Sequence, residues 1–141
     1  MNERLASKVA IVTGVAQGIG ASIARVFTQN GCFVYITDIN DELGNALAKS
    51  MGDRAAYLPL DVRVEDDWQR VMTRVLNERG QLDVLVNNAG ITGFEAGAAQ
   101  HDPEHASLED WHAVHRTNLD GGLLAGSAAT PVVIDEVAPG Q

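Results

Sequence analysis

The sequence predicts an α/β fold, a doubly wound parallel sheet truncated to about four strands, with helices on both faces. Three observations support this prediction. Short apolar runs alternate with helical segments through the first two thirds of the chain, which is typical of strand–helix–strand units with parallel strands. A glycine-rich turn joins the first strand to the first helix. Polar or small residues follow the later strands, and the carboxyl ends of parallel strands are where such sheets bind ligands.

The first strand–turn–helix unit lies in Val9–Gly20, with the sequence V-A-I-V-T-G-V-A-Q-G-I-G. Val9–Val12 is an apolar run typical of a strand covered on both faces. Gly14 lets the chain turn off the strand, Gly18 leaves the backbone open to a pyrophosphate, and Gly20 lets the helix pack close to the strand. Glycine spacing alone also fits an ordinary turn, and the absence of Gly-Lys-Ser/Thr excludes a nucleoside-triphosphate P-loop.

The second strand is predicted over Cys32–Thr37, and Asp38 follows it, 24 residues after Gly14. An acid at this place accepts hydrogen bonds from the adenosine ribose hydroxyls and repels a 2′-phosphate. No Arg or Lys lies between Arg25 and Lys49, which also favours NAD over NADP. A helix cap is the alternative role for a lone acid at a strand end.

The next elements continue the alternation. Asn40 is predicted to cap a second helix that runs to about Ser50. Ala55–Leu60 is predicted as the third strand, Val64–Arg79 as an amphipathic helix, and Leu82–Val86 as the fourth strand. We expect the strand order 3-2-1-4.

Polar residues stand at the ends of the third and fourth strands. Asp61 is placed to reach the adenine of a dinucleotide, although it is equally compatible with an ordinary turn. Asn87–Gly90 has the sequence N-N-A-G, whose small residues let a ligand approach the backbone and whose amides can tie neighbouring strands together. Taken alone, this segment also fits a simple turn.

The last third of the chain carries weaker signals. Residues 91–106 form a Gly/Ala-rich segment without apolar periodicity, and Ser107 with Asp110 resembles a capping box that begins another helix. We predict one domain over residues 1–126 and an irregular tail over 127–141.

Composition excludes several classes of function. The net charge of −9 argues against nucleic acid or an anionic membrane as a partner, and no apolar run is long enough to span a bilayer. Residues 1–8 lack a signal-peptide pattern, so the cytoplasm is the expected location. The lone Cys32 is expected to be a buried small hydrophobe, and no metal site is predicted. The four histidines, which are expected at the surface, are His101, His105, His112 and His115.

From Lys8 to about Asp120 the chain resembles the short-chain dehydrogenase/reductase family, whose fold is Rossmann-like. The matching motifs are Thr13–Gly20, Asp38, Asp61–Val62, Asn87–Gly90 and Asn118. The resemblance implies hydride transfer between NAD and an alcohol or ketone. The cofactor-binding residues it implies are Gly14, Gln17, Gly18, Ile19, Gly20, Asp38, Ile39, Asp61, Val62, Asn88, Ala89 and Gly90.

The chemistry of the family uses an Asn, a Ser, a Tyr and a Lys, and only the Asn has a counterpart here, Asn118. The tyrosines are Tyr35 and Tyr57, neither followed by Lys four residues later, and no lysine occurs after Lys49. The D-G-G at Asp120–Gly122 resembles a carboxyl-terminal motif of the family, yet it directly follows a motif from the middle of the family's sequence. We hypothesise that the catalytic middle segment between the two motifs has been deleted.

These observations predict a chain that binds NAD(H) with little or no turnover, because the proton donor is absent. The alternative is a non-catalytic NAD-binding or interaction module that pairs with a full-length relative. A small alcohol or ketone is expected as a substrate only where a complete site exists. The unpaired edge of the fourth strand is expected to favour association, including homo-oligomers.

Overall fold

The computed structural model describes residues 3–15, 18–90 and 107–134, with side chains described as far as Ala129. Strands and helices alternate up to the fourth strand, and a helical segment follows after residue 106. The strands are β1 (Val9–Thr13), β2 (Phe33–Asp38), β3 (Ala55–Pro59) and β4 (Val84–Val86). The helices are α1 (Gly18–Gln29), α2 (Asp41–Met51), α3 (Glu65–Arg79), α4 (Leu108–His115) and α5 (Gly121–Ile134). The predicted loop over 91–106 lies outside the described residues.

The four strands form one parallel sheet in the order β3-β2-β1-β4. Val9 of β1 lies opposite Phe33 of β2, and Ala10 of β1 lies opposite Val84 of β4. The predicted fold class and strand order are therefore confirmed. Because all the strands are parallel, the turns that leave their carboxyl ends lie along one edge of the sheet.

Both faces of the sheet are covered, and β1 shows why. Alternate residues of a strand point to opposite faces. Ile11 packs with Tyr35 and with Trp68 of α3 on one face, whereas Val12 packs in a cluster with Leu47 of α2 on the other. Every residue of β1 is buried, which explains its uninterrupted apolar run.

Cys32 is fully buried, as predicted, and so is Trp68 of α3. The Trp68 indole N–H donates a 3.0 Å hydrogen bond to the carbonyl oxygen of Val62, so its one polar atom is satisfied. Burial, reinforced by the negative charge of Asp83, raises the pKa of the Cys32 thiol to about 11. This thiol is a core side chain rather than a reactive one.

The predicted helix boundaries are confirmed by their caps. Asn40 Oδ1 accepts the N–H of the third residue beyond it at 3.1 Å, and the hydroxyl oxygen of Ser107 accepts the N–H of Asp110 at 3.0 Å. Gly80 has φ +73° and donates its N–H to the carbonyl oxygen of Leu76 at 2.8 Å. A residue with a Cβ would be strained at this position.

The prediction of an irregular tail beginning at residue 127 is wrong for residues 127–134, because they belong to α5. Ala125 and Ala129 are buried in the same apolar cluster as Trp68, and α5 packs against α3. This packing stabilises the helix although it includes Pro131, which cannot donate a backbone hydrogen bond. Residues 135–141 lie outside the described part. Of the helices described, none is both long enough and apolar enough to cross a membrane.

Candidate functional site

The carboxyl ends of the four strands open into a crevice of about 540 Å³. Its walls come from the turns that follow the strands and from one residue of the later helical segment. The lining residues are Gly14, Asp38, Ile39, Leu60, Asp61, Val62, Arg63, Asn88, Ala89, Gly90 and Thr117. Most of the residues predicted to bind a cofactor are therefore brought together at one place.

Thr13 joins the end of β1 to the end of β4. Its hydroxyl oxygen accepts the backbone N–H groups of Asn88 and Ala89, both at 3.0 Å, and its O–H donates to the carbonyl oxygen of Val86 at 3.3 Å. The Asn88 side-chain amide donates to the carbonyl oxygen of Gly14 at 3.0 Å, which confirms the predicted tie between neighbouring strands. These contacts make the two turns a single hydrogen-bonded unit.

Two glycines allow backbone segments to approach more closely than a side chain would permit. Gly14 has φ +67°, and a Cβ there would lie 2.7 Å from the Cα of Ala89. A Cβ on Gly20 would lie 2.5 Å from Asn88 Nδ2. At Gly18, with φ +72°, the corresponding position has no described atom within 4 Å apart from its chain neighbours and the first turn of α1. The turn is tightly packed towards β4 and open at Gly18, beside the first N–H groups of α1.

Asp38 is held at the rim of the crevice. Its Oδ1 accepts the backbone N–H of Asn40 at 2.9 Å, and it is Asn40 that caps α2. The carbonyl oxygen of Asp38 accepts the N–H of Leu60 at 3.1 Å and lies 2.8 Å from the Tyr57 hydroxyl. The neighbouring Ile39 side chain is exposed. The end of β2 is thus fixed from both β3 and α2.

Asp61 is paired with Arg63 inside the crevice. Arg63 Nε donates to Asp61 Oδ1 at 2.9 Å, and Arg63 Nη2 donates to Asp61 Oδ2 at 2.7 Å. The backbone N–H of Arg63 also donates to Oδ1 at 3.0 Å. These hydrogen bonds, chiefly those from the guanidinium, hold the pKa of the Asp61 carboxyl below its ordinary value, so the group is ionised at neutral pH.

Asn118 lies in a π-helical turn over Arg116–Asp120, between α4 and α5. A Cβ added to Gly90 would lie 3.1 Å from Asn118 Oδ1. Gly121, just beyond this turn, packs against Val62, since a Cβ there would lie 2.8 Å from Val62 Cγ2. The helical segment therefore reaches the turns after both β3 and β4.

Some predicted residues do not line the crevice. Gly18, Ile19 and Gly20 lie at the start of α1, where Gly18 and Ile19 border a different groove. Gln17 lies outside the described residues. Sequence reasoning missed three lining residues, Leu60, Arg63 and Thr117. The available signal for Arg63 is its place two residues after an aspartate at a strand end, a spacing typical of an Asx turn.

The described residues contain no group of three or more His, Cys, Asp or Glu side chains placed to hold a metal ion. His115 instead stacks on Trp111 with ring centroids 3.7 Å apart, and its Nδ1 lies 2.9 Å from the Trp111 carbonyl oxygen. His101 and His105 lie outside the described residues.

The sequence matches a family model over almost its whole length. The model described as short chain dehydrogenase matches residues 8–140. The chain belongs to the short-chain dehydrogenase family. Membership of this family implies a nicotinamide cofactor.

Within the short-chain dehydrogenase family, this protein is similar to several curated plant proteins. It is 38% identical to tropinone reductase-like 1 of Erythroxylum coca, over 96% of this chain and 49% of the relative. It is 37% identical to xanthoxin dehydrogenase of Arabidopsis thaliana, over 96% of this chain and 48% of the relative. Sex determination protein tasselseed-2 of Zea mays is 46% identical, over 88% of this chain and 37% of the relative. The chain spans about half the length of the curated relatives it matches, or less.

Proposed function

We propose that the crevice binds NAD(H), with the pyrophosphate at the start of α1 and the adenosine between the ends of β2 and β3. The observation that carries this proposal is the convergence of the Gly14 turn and the Asp38 carboxylate on one crevice. The open backbone at Gly18 fits a pyrophosphate, because the first N–H groups of a helix and its dipole favour anions. Ile19 would flank that group.

The adenosine half of the proposed site would favour NAD over NADP. Asp38 would accept hydrogen bonds from the ribose hydroxyls and would repel a 2′-phosphate. Ile39 would cover one side of the adenine, and Asp61 and Val62 would face its polar edge. Asn88, Ala89 and Gly90 would border the path towards the nicotinamide.

We propose that these 141 residues bind the cofactor but do not catalyse the family's reaction. A bound nicotinamide would supply the hydride chemistry between an alcohol and a ketone. Of the residues that would move or orient the substrate's proton, the chain offers Asn118 alone, since it contains no Tyr-x-x-x-Lys. General acid–base catalysis contributes about 10²–10⁴-fold, so little or no turnover is expected.

An NADH titration of the purified 141-residue chain, followed by fluorescence, tests this proposal. We expect saturable binding, weaker binding of NADPH, and no oxidation of a panel of small alcohols in the same samples. A full-length relative assayed in parallel serves as the positive control for turnover. Turnover by the chain itself would contradict the proposed absence of catalysis, and a flat titration would contradict cofactor binding.

A second candidate function is an interaction module that pairs with a full-length relative. Among the described elements, β4 pairs only with β1 and so forms an edge of the sheet. Elsewhere on the described surface, α1 carries an apolar stripe whose Ile19 and Val26 are 73% and 53% exposed. Ile23 and Phe27 complete this stripe around a groove of about 560 Å³. Co-purification of a longer relative with the tagged chain would favour this candidate.

A further inference from the structure

The pairing of Asp61 with Arg63 is more extensive than a turn requires. The backbone N–H of Arg63 bonded to Asp61 Oδ1 is sufficient for an Asx turn. The guanidinium adds a two-point contact to both carboxylate oxygens, a geometry that fixes the plane of the carboxylate as well as its position. The two side chains are 24% and 42% exposed, respectively, and both line the crevice.

The backbone beneath this pair is also fixed. The N–H of Asp61 donates to Asp67 Oδ2 at 2.9 Å, and the carbonyl oxygen of Val62 accepts the indole N–H of the buried Trp68 at 3.0 Å. Asp61 is therefore held both at its backbone N–H and at its carboxylate oxygens.

The hydrogen bonds from Arg63 leave one acceptor position of the Asp61 carboxylate for a ligand. A carboxylate offers about four acceptor positions, two on each oxygen. From the part of the chain that the structure describes, Asp61 Oδ1 accepts two N–H groups, both of Arg63, whereas Oδ2 accepts one. The remaining acceptor position on Oδ2 can receive one N–H donor from a molecule in the crevice.

We infer that Arg63 is a positioning residue that orients the Asp61 carboxylate so that the crevice selects a 6-amino purine over a 6-oxo purine. This inference rests on the proposed binding of a dinucleotide. The exocyclic amino group of adenine is an N–H donor that fits Oδ2. Hypoxanthine presents a carbonyl oxygen in its place, and two acceptors facing each other across a site are unfavourable.

The orientation of the Asp61 carboxylate can be changed without changing its charge. Arg63 lowers the pKa of Asp61, and removing Arg63 would let that pKa return towards its ordinary value, which lies well below 7. Asp61 would therefore stay ionised at neutral pH in an Arg63→Met variant. At pH 7 that variant changes how the carboxylate is held, and not whether it is charged.

Affinities for NAD and for nicotinamide hypoxanthine dinucleotide, measured at pH 7 by calorimetry, test the inference. For the unmodified chain we expect NAD to bind roughly tenfold to a hundredfold more tightly, the range of one hydrogen bond to a charged group. Arg63→Met is expected to reduce this ratio by about threefold to tenfold, mainly through weaker NAD binding. Arg63→Lys is expected to give an intermediate ratio, because an ammonium cannot make the two-point contact.

Arg54→Met is the matched control, since Arg54 is similarly exposed and pairs with Glu3 away from the crevice. It should leave the ratio unchanged. Asp61→Asn is a second variant, and we expect it to bring the ratio close to one because its amide N–H can donate to the 6-oxo group.

Two outcomes would overturn the inference while leaving dinucleotide binding intact. One is equal binding of both dinucleotides by the unmodified chain. The other is an unchanged ratio in Arg63→Met, which would make the pair a turn-stabilising contact only. Binding of neither dinucleotide would contradict the proposed function itself, and the inference with it.

Discussion

Replacing Gly14 by alanine is expected to weaken NAD binding by about a hundredfold and to lower the free energy of unfolding by about 3 kcal/mol. Two causes add together. The φ of +67° disfavours any residue with a Cβ, and that Cβ would lie 2.7 Å from the Cα of Ala89. Relief of this contact must move Ala89, whose N–H is bonded to Thr13, and so must distort the wall of the crevice. Calorimetry with NAD and urea unfolding measure the two effects.

Gly80→Ala is the matched control for this variant. Gly80 has φ +73° and ψ 1°, in the left-handed region, yet no described atom lies within 4 Å of the position its Cβ would take. The control variant should therefore lose only about 1–2 kcal/mol of unfolding free energy, from backbone strain. It should bind NAD normally. Equal losses of stability in both variants would show that the contact with Ala89 is unimportant. Normal NAD binding by Gly14→Ala would contradict the role assigned to the turn.

Replacing Asp38 by arginine is expected to weaken NAD binding by roughly tenfold to a hundredfold and to strengthen NADP binding. The change removes the acceptor for the ribose hydroxyls, and hydrogen bonds to a charged group contribute about 1.5–3 kcal/mol each. It also places a cation where a 2′-phosphate would lie. Titrations with both dinucleotides at one fixed salt concentration measure the shift in preference.

The control for net charge is Asp53→Arg. Asp53 is exposed in the short turn Gly52–Arg54 before β3, outside the crevice. Both variants change the charge of the chain equally, so any general electrostatic effect appears in both. If Asp38→Arg bound NAD as tightly as the unmodified chain, the assignment of Asp38 to the ribose would be wrong.

The sheet could be predicted from the sequence because its signals are local. The apolar run of β1, the cap at Asn40 and the stop at Gly80 each lie within a few residues of the boundary they define. Parallel strands joined by helices leave few possible topologies, which is why the order of the strands followed from their succession along the chain.

The parts that escaped prediction depend on contacts between distant residues. Thr13 accepts the N–H of Asn88 across 75 positions of sequence, and no local pattern indicates such a bond. Arg63 escaped prediction because it lies outside the cation-free stretch around Asp38, in the turn after β3 that also lines the crevice. Residues 127–134 were predicted to belong to an irregular tail, and the packing of α5 against α3 outweighs the unfavourable local effect of its proline.

The measurement that tests the central claim most directly is a two-dimensional ¹⁵N–¹H titration of the labelled chain with NAD. We expect the largest saturable shifts at the amides of Gly14 and Gly18, of Asp38 and Ile39, and of the residues after β3 and β4. A second cavity of about 380 Å³ lies at the amino ends of the strands, where Lys8, Arg54 and Arg79 supply positive charge. Saturable shifts confined to that end, with none around Gly14 and Asp38, would contradict the account.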